Sequence, residues 1–177
     1  MGCLMPGMAM ADEGTFTTSA AAGTTVSMAV TCEGGDAVLT WEDGSMETLP
    51  ATGLPTGISL KSAGFTLSTT AGHLVSVYVP DAGLTGLTLK DVPALEMLAC
   101  PGNQLSALNL SEAEALTVLD VQGNALRTLN LQNSCAGLTS LNCAYNQLSN
   151  LVLGSKPALT TLICAGNNLR SLTLNNL

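Results

Sequence analysis

The sequence predicts a mainly β protein in which a repeat solenoid of about five coils follows a small antiparallel β cap domain. Two observations support this fold class. In the second half of the chain a short phrase recurs every 21 or 22 residues, and self-similarity of that period is typical of solenoids. In the first half, apolar and polar residues alternate with a period of two, as they do along half-buried β-strands.

The recurring phrase is Leu-x-x-Leu-x-Cys-x-x-Asn-x-Leu, with Val121 in place of the cysteine in the second copy. Its asparagines are spaced by 21, 22 and 21 residues and are Asn103, Asn124, Asn146 and Asn167. Counting back by one period gives a degenerate first repeat, in which Ala82 stands at the asparagine position. We therefore predict repeats over residues 73–177, as five coils that begin at about residues 74, 95, 116, 138 and 159.

A Leu-x-Leu unit follows the phrase in every coil, at residues 87–89, 108–110, 129–131, 151–153 and 172–174. Two leucines separated by one residue lie on the same side of an extended segment. A coil of 21 residues is also too short to hold a full helix beside its strand. The pattern therefore predicts a short strand on each of the two sides of every coil.

The repeated asparagines are predicted to be structural. After its first strand each coil must turn, and the turn leaves backbone N–H and C=O groups inside the coil. An asparagine amide offers both donors and an acceptor, so a ladder of stacked asparagines would satisfy these groups. Removing one asparagine would leave buried polar groups unpaired, at a cost of roughly 1–3 kcal/mol.

This consensus resembles the short bacterial subclass of leucine-rich repeats, which has a Leu-x-x-Leu-x-Cys-x-x-Asn core and a second Leu-x-Leu. The resemblance covers residues 74–177 and rests on four full copies of the phrase. It implies a leucine-rich-repeat solenoid with a solvent-facing concave sheet. Bacterial proteins of this type are commonly adhesins or interaction modules, so the resemblance also implies a role in recognition.

Residues 14–72 are predicted to form the cap domain, an antiparallel β-sandwich. Residues 24–31 are predicted to be a strand that returns through Gly34-Gly35 as residues 37–41, and Asp43-Gly44 is predicted to close a hairpin. The segment 41–45, Trp-Glu-Asp-Gly-Ser, is similar to the Trp-Gly-Asp-Gly-Thr hairpin of PKD-like immunoglobulin domains and departs from it at Glu42. The domain also resembles the one that precedes repeats in some secreted proteins of Bacteroidetes-type bacteria. Such a cap would cover the open edge of the first repeat strand.

Residues 1–13 are predicted to be a residual export segment or a disordered hydrophobic tail. Ala9-Met10-Ala11, just before Asp12, matches a small-residue cleavage site. Together with the family resemblance, this motif indicates a secreted or cell-surface protein. The sequence holds no run of 18 or more apolar residues, so membrane insertion is not expected.

Charge and motif content argue against several classes of function. The net charge of −8, with only five Lys and Arg residues, disfavours nucleic acid as a partner. No catalytic motif occurs, and the single histidine, His73, is expected to pack at the junction of cap and repeats. Glu112 and Glu114 are expected in a solvated turn, and a calcium site at Glu42, Asp43 and Glu47 lacks the loop spacing. We therefore predict no enzymatic activity, no cofactor and no metal.

The cysteines follow the repeat. Cys100, Cys143 and Cys164 share the position that Val121 fills, which predicts a slot for a small buried apolar group occupied by free thiols. A disulfide between Cys143 and Cys164, one coil apart, is the less favoured alternative.

The remaining candidate site is the solvent face of the concave strands. Its predicted binding residues are Tyr78, Met97, Val118, Asp120, Gln122, Asn142, Tyr145, Thr161 and Ile163. A sheet face that merely tolerates apolar residues is the alternative interpretation. The predicted function is non-catalytic recognition of a protein or glycan ligand. The alternative is a structural spacer in a larger surface protein, with a homodimer formed edge to edge through the last repeat.

Overall fold

The computed structural model describes residues 12–172 and residue 174. The regular secondary structure of these residues consists of β-strands. They are β1 (Glu13–Thr18), β2 (Thr25–Glu33), β3 (Ala37–Trp41), β4 (Met46–Leu49), β5 (Thr56–Ser59), β6 (Gly64–Thr69), β7 (His73–Tyr78), β8 (Leu84–Lys90), β9 (Met97–Ala99), β10 (Val118–Asp120), β11 (Thr128–Asn130), β12 (Ser140–Asn142), β13 (Asn150–Val152) and β14 (Thr161–Ile163). No helix long and apolar enough to cross a membrane is found in this part of the chain.

A seven-stranded mixed sheet organises the molecule, in the order β14-β12-β10-β9-β7-β2-β5. The five strands from β7 to β14 are parallel, and their central residues pair in sequence as Val77, Leu98, Leu119, Leu141 and Leu162. Because paired residues are 21 or 22 positions apart, the chain makes about four turns of a β-solenoid between β7 and β14. The all-β solenoid with this spacing is as the sequence predicts.

The cap is joined to the solenoid through this same sheet. β2 pairs antiparallel with β7, with Ala29 opposite Tyr78, and β5 pairs antiparallel with the other edge of β2. The backbone groups at the edge of β7 are therefore satisfied by β2, which blocks that edge against other chains.

A second sheet, in the order β4-β3-β6-β1-β8, is antiparallel throughout. It contributes Phe16, Leu39 and Leu67 to the same buried core that holds Met28 and Val77 of the mixed sheet. The core then continues through the inward leucines of the coils as far as Leu153. One hydrophobic core therefore runs through cap and solenoid.

The predicted pairing of residues 24–31 with residues 37–41 is wrong. Both edges of β2 are occupied, by β5 and β7, while β3 pairs with β4 and β6 in the other sheet. Gly34 and Gly35, with φ of 74° and 80°, therefore connect one sheet to the other. The physical reason is that β2 already has a partner on each side, β7 at the solenoid and β5 at the other edge, so no edge is left for β3.

The hairpin predicted at Asp43-Gly44 is present. β3 and β4 pair antiparallel, and Trp41 N–H donates to the carbonyl of Ser45 at 2.9 Å. Gly44 has a φ of 79°, which glycine adopts without steric cost. The Trp41 ring is buried against Phe65, with 5.5 Å between ring centroids.

Strands on the second side of every coil were predicted, and the structure shows them only in part. β11 and β13 pair in parallel at the Leu-x-Leu units of two successive coils. In the first coil, β8 covers that unit but pairs with β1 of the cap, and residues 108–110 form no strand. Leu110 is still buried there and Leu108 is partly buried, because core packing on this side does not require a continuous ladder.

At the N-terminal end, residues 1–11 lie outside the described residues, and with them the cleavage-like Ala9-Met10-Ala11. Glu13 begins β1, and Asp12 is fully buried. The Asp12 carboxylate accepts hydrogen bonds from His73 Nδ1 at 2.8 Å and from Leu74 N–H at 2.7 Å. Asp12 thereby attaches the start of β1 to β7, at the junction of cap and solenoid.

Candidate recognition surface

The asparagine ladder determines which side chains of each coil point outward. The Asn124 amide nitrogen donates to the carbonyls of Cys100 and Val121, each at 3.0 Å, and its oxygen accepts from Leu105 N–H at 3.0 Å. Equivalent bonds are made by Asn103, Asn146 and Asn167. Each asparagine thus bridges its own turn to the preceding coil, and the strand residues on either side of the inward leucine face solvent.

The residue before each ladder asparagine adopts a left-handed backbone conformation. Three of these residues are glycines, namely Gly102, Gly123 and Gly166, with φ between 64° and 68°. In the fourth coil this position is Tyr145, with a φ of 53°. A left-handed conformation costs a residue with a side chain roughly 1–2 kcal/mol, and bulky residues adopt it rarely.

The Tyr145 side chain is 65% exposed and lies against Gly166 of the next coil. A Cβ atom added at Gly166 would come within 2.6 Å of Tyr145 Cδ1, so the ring occupies the space that a side chain there would need. The ring is therefore supported on one side by backbone and is open to solvent on the other.

Asp81 is the equivalent residue in the first coil, with a φ of 48°. Its carboxylate lies over Gly102, as the Tyr145 ring lies over Gly166. The two positions share backbone geometry but lie three coils apart, so Asp81 is a natural control for Tyr145.

The predicted binding residues fall into two columns on the outward face of the parallel strands. Met97, Val118 and Thr161 are in one column, and Tyr78, Asp120, Asn142 and Ile163 are in the other. Gln122 and Tyr145 lie in the turns after β10 and β12, which end at Asp120 and Asn142. Exposure is uneven, because Ile163 is 46% exposed while Met97 and Val118 are half-buried. The exposed apolar groups of the face are therefore concentrated at Tyr145 and Ile163.

Hydrogen bonds join the polar residues of the face. Asp120 Oδ1 accepts from Gln122 N–H at 3.0 Å, and Gln122 Oε1 accepts from Asn142 Nδ2 at 2.8 Å. Asn142 Oδ1 in turn accepts from Ala144 N–H at 3.3 Å. These bonds orient three planar side chains in adjacent coils, next to Tyr145.

The outward face also continues onto the cap. The hydroxyls of Ser76 on β7 and Thr31 on β2 are 2.6 Å apart and form a hydrogen bond. Sequence reasoning did not connect Thr31 with this surface, because its pairing with β7 joins residues 45 positions apart. Alternation along β2 indicated which residues point outward but not which sheet they belong to.

The burial of Lys156 was not predicted from the sequence. Its side chain is 1% exposed, and Nζ donates to the carbonyls of Leu131 at 2.8 Å and Leu153 at 2.5 Å. Burial lowers the pKa of Lys156. Counting by the repeat period places it below Val92, Ala113 and Cys135, all of which are buried. Because carbonyls take up its N–H groups, Lys156 closes the inside of a turn.

The lone histidine and the acidic pair lie away from the outward face. His73, Asp91, Glu112 and Glu114 line a groove of about 510 Å³ on the turns that precede the parallel strands. Glu112 Oε2 accepts from Asp91 N–H at 2.7 Å, and His73 is bonded to Asp12. Across residues 12–172 and 174, no group of three or more His, Cys, Asp and Glu side chains is arranged to hold a metal ion.

The repeat cysteines occupy the inward slot. Cys100 and Cys143 are buried and Cys164 is half-buried, in line with the buried Val121. The described cysteines are free thiols. Burial raises the pKa values of Cys100 and Cys143 to about 12, so neither is a thiolate near neutral pH.

The fold and this surface define a repeat protein, in which a β-solenoid of about four turns extends one sheet of a two-sheet cap. No protein-family model, curated protein or solved structure matches the chain.

Proposed function

We propose that the protein is a non-catalytic recognition module, which binds a protein or glycan ligand through the outward face of its parallel strands. The binding part of this face, here called the recognition face, consists of Asp120, Gln122, Asn142, Tyr145 and Ile163. The observation that carries the proposal is Tyr145, an exposed aromatic residue in a left-handed conformation where three other coils have glycine.

The backbone of Tyr145 supports function because stability does not require this side chain. Glycine satisfies the same turn in three coils without steric cost. Strained conformations of this kind are concentrated at binding and catalytic sites, where the side chain contributes something other than stability. Tyrosine is also among the residues that contribute most to binding, because it offers a large rigid surface with a polar tip.

The surroundings of Tyr145 favour binding over catalysis. Ile163 in the next coil adds a second exposed apolar side chain. The hydrogen-bonded amides of Gln122 and Asn142 lie in the preceding coil and in the coil of Tyr145 itself. Asp120 is the one charged residue of the recognition face, and its Oδ1 is occupied by a backbone N–H. No nucleophile–base pair accompanies it, which general acid–base or covalent chemistry would need.

The proposal also covers the repeat family, the type of cap domain and the location of the protein. The repeat phrase supports a bacterial leucine-rich-repeat protein, and residues 41–45 support an immunoglobulin or PKD-like cap. Ala9-Met10-Ala11 supports export, to the cell surface or beyond it, where an adhesive role would be exercised. The link from these repeats to adhesion is an analogy at the level of the fold.

A structural spacer that dimerises edge to edge is the second candidate function. β14 is an edge strand of the mixed sheet as described. Leu162 and Cys164 are half-buried there, whereas the equivalent Leu141 and Cys143 are fully buried. Multi-angle light scattering tests this candidate, because an edge-to-edge dimer requires twice the monomer mass of 17.9 kDa at high concentration. A monomer throughout would reject it.

The proposed recognition function is tested with a printed array that carries both glycans and extracellular proteins. Thr161→Asp places a charge beside the recognition face, and Thr128→Asp makes the same change on an exposed residue of the opposite side. We expect the parent and Thr128→Asp to bind the same spots, and Thr161→Asp to lose about tenfold or more, because an unpaired charge is desolvated on binding. Equal binding by all three proteins, or no bound spot for the parent, would contradict the proposal.

A further inference from the structure

We infer that the ligand of the recognition face is a neutral saccharide, with one sugar ring stacked on Tyr145 and its hydroxyls bound by Asp120, Gln122 and Asn142. This inference rests on the proposed function and specifies its ligand class. It follows from three features of the face: a supported aromatic ring, an oriented set of planar polar groups, and the near absence of charge.

The first feature is the ring. Tyr145 packs against the bare backbone of Gly166 and leaves the rest of its surface to solvent. The face of an aromatic ring carries negative charge density and attracts the C–H groups that project from the flat side of a sugar ring. Because Gly166 already limits the motion of the Tyr145 ring, little side-chain entropy remains to be lost on stacking.

The second feature is the polar set beside the ring. Gln122 and Ala144 are equivalent positions of adjacent coils, since Gly123 donates to the Ala144 carbonyl at 2.9 Å, and Tyr145 directly follows Ala144. The Gln122 side chain therefore lies next to the Tyr145 turn. Its amide nitrogen makes no hydrogen bond within the described ranges, while its oxygen is fixed by Asn142.

This arrangement suits neighbouring sugar hydroxyls. Each hydroxyl is both a donor and an acceptor, and the face offers free amide N–H groups together with the second oxygen of Asp120. Bonds between Asp120, Gln122 and Asn142 hold the planes of these groups before binding. A hydroxyl in the matching position is therefore favoured over an apolar group, which would leave the amides unpaired.

The third feature is charge and size, which distinguish a saccharide from a protein. A stable protein interface covers about 800 Å² on each partner around an apolar core with several anchors. The strands that carry the recognition face are three residues long, or about 10 Å. Among the five residues of that face, only Tyr145 and Ile163 are large exposed apolar side chains. The net charge of −8 repels polyanions, so a neutral saccharide fits best.

The test uses affinity electrophoresis of the full chain in gels that contain one neutral polysaccharide each: hydroxyethyl cellulose, laminarin, xylan, galactomannan or soluble starch. We expect at least one gel to retard the parent. In that gel Tyr145→Gly should weaken binding about tenfold, the upper end of what one aromatic contact contributes, and Asn142→Ala should weaken it similarly. Tyr145→Phe should stay within about threefold, since the ring is kept.

Matched controls separate binding from folding. Asp81→Gly makes the same backbone change as Tyr145→Gly at the equivalent position of the first coil. Asn130→Ala removes the same type of bond as Asn142→Ala, because Asn130 also accepts from the backbone N–H two residues later, on the opposite side. Both controls should be retarded like the parent, and a thermal melt of each variant checks that it is folded.

No retardation of the parent in any of the five gels overturns the saccharide inference. If array proteins are then bound, and that binding is lost in Thr161→Asp but kept in Thr128→Asp, the recognition function stands and its ligand is a protein. If saccharide binding occurs but survives Tyr145→Gly and Asn142→Ala, the ligand is bound elsewhere and the recognition face is rejected with it.

Discussion

We expect the Tyr145 side chain to contribute to ligand binding and little to the stability of the fold. Replacing it with glycine relieves a left-handed backbone worth roughly 1–2 kcal/mol, while the added freedom of the unfolded chain costs about 0.5–1 kcal/mol. We expect the free energy of unfolding of Tyr145→Gly to stay within about 1 kcal/mol of the parent value in urea titrations. A loss of about 3 kcal/mol, the scale of a buried aromatic, would show that the ring is a packing residue.

In contrast to Tyr145, the ladder asparagines are expected to contribute to stability. Asn124→Ala leaves the N–H of Leu105 without its partner inside the coil. It also removes one of the two donors to each of the Cys100 and Val121 carbonyls, which keep those from Asn103 and Asn146. We expect a loss of roughly 1–3 kcal/mol in urea unfolding, because these groups stay buried. The exposed Asn130→Ala is the control and should change stability by about 0.5 kcal/mol or less. Equal losses of stability in the two variants would contradict a structural role of the asparagine ladder.

Residue types explain which features could be predicted from the sequence at this scale. The inward slot of Cys100, Val121 and Cys143 was predictable, because cysteine and valine are both small and apolar. Tyr145 is among the binding residues predicted from the sequence, and aligning the repeats shows its unusual position, since glycine precedes the asparagine in the three other copies. Lys156 and Asp12 were not predictable as buried residues, because charged side chains are rarely buried without a specific partner. One partner of each, the Leu131 carbonyl for Lys156 and His73 for Asp12, comes from a distant part of the chain.

At the scale of elements, the contact between β1 and β7 carries a pH dependence. The hydrogen bond to Asp12 and its negative charge raise the pKa of His73 above its ordinary value of 6.5, with a further contribution from Glu33. A raised folded-state pKa adds stability that is fully present below the unfolded pKa, about 6.5, and is lost as pH rises through the folded-state pKa. The attachment of Asp12 is therefore strongest in mild acid.

His73→Asn tests this linkage. We expect it to lower the melting temperature more at pH 5.5 than at pH 9, because only the protonated imidazole gains from the Asp12 charge. In an Asp12→Asn background the difference between the two pH values should shrink. The same loss at both pH values would mean that His73 contributes packing but no charge interaction.

Some strand pairings could be predicted from the sequence and others could not. The β3–β4 hairpin was predictable because Asp43-Gly44 supplies a local turn signal. The two partners of β2 were not, because β5 and β7 lie far from it in sequence and no local turn signal marks either pairing. Similarly, the Leu-x-Leu units indicate extended segments but do not determine whether neighbouring coils form a ladder there.

At the scale of the whole molecule, the shared sheet and core predict cooperative unfolding of cap and solenoid. Trp41, the single tryptophan, is buried in the cap and reports on it by fluorescence. We expect Asn146→Ala, in the solenoid, to shift the Trp41 urea midpoint and the far-ultraviolet circular dichroism midpoint by equal amounts. A Trp41 midpoint that does not move would show that the cap unfolds independently.

The sheet that carries the recognition face also joins cap and solenoid, so the whole fold holds this face in one conformation. The central claim is that ligand binds on this face. Its most direct test is nuclear magnetic resonance mapping of amide shifts with a ligand found by the array or the gels. We expect the largest shifts at Asp120, Gln122, Asn142, Tyr145 and Ile163. Shifts centred instead on β11 and β13, or on the groove beside His73, would contradict the claim.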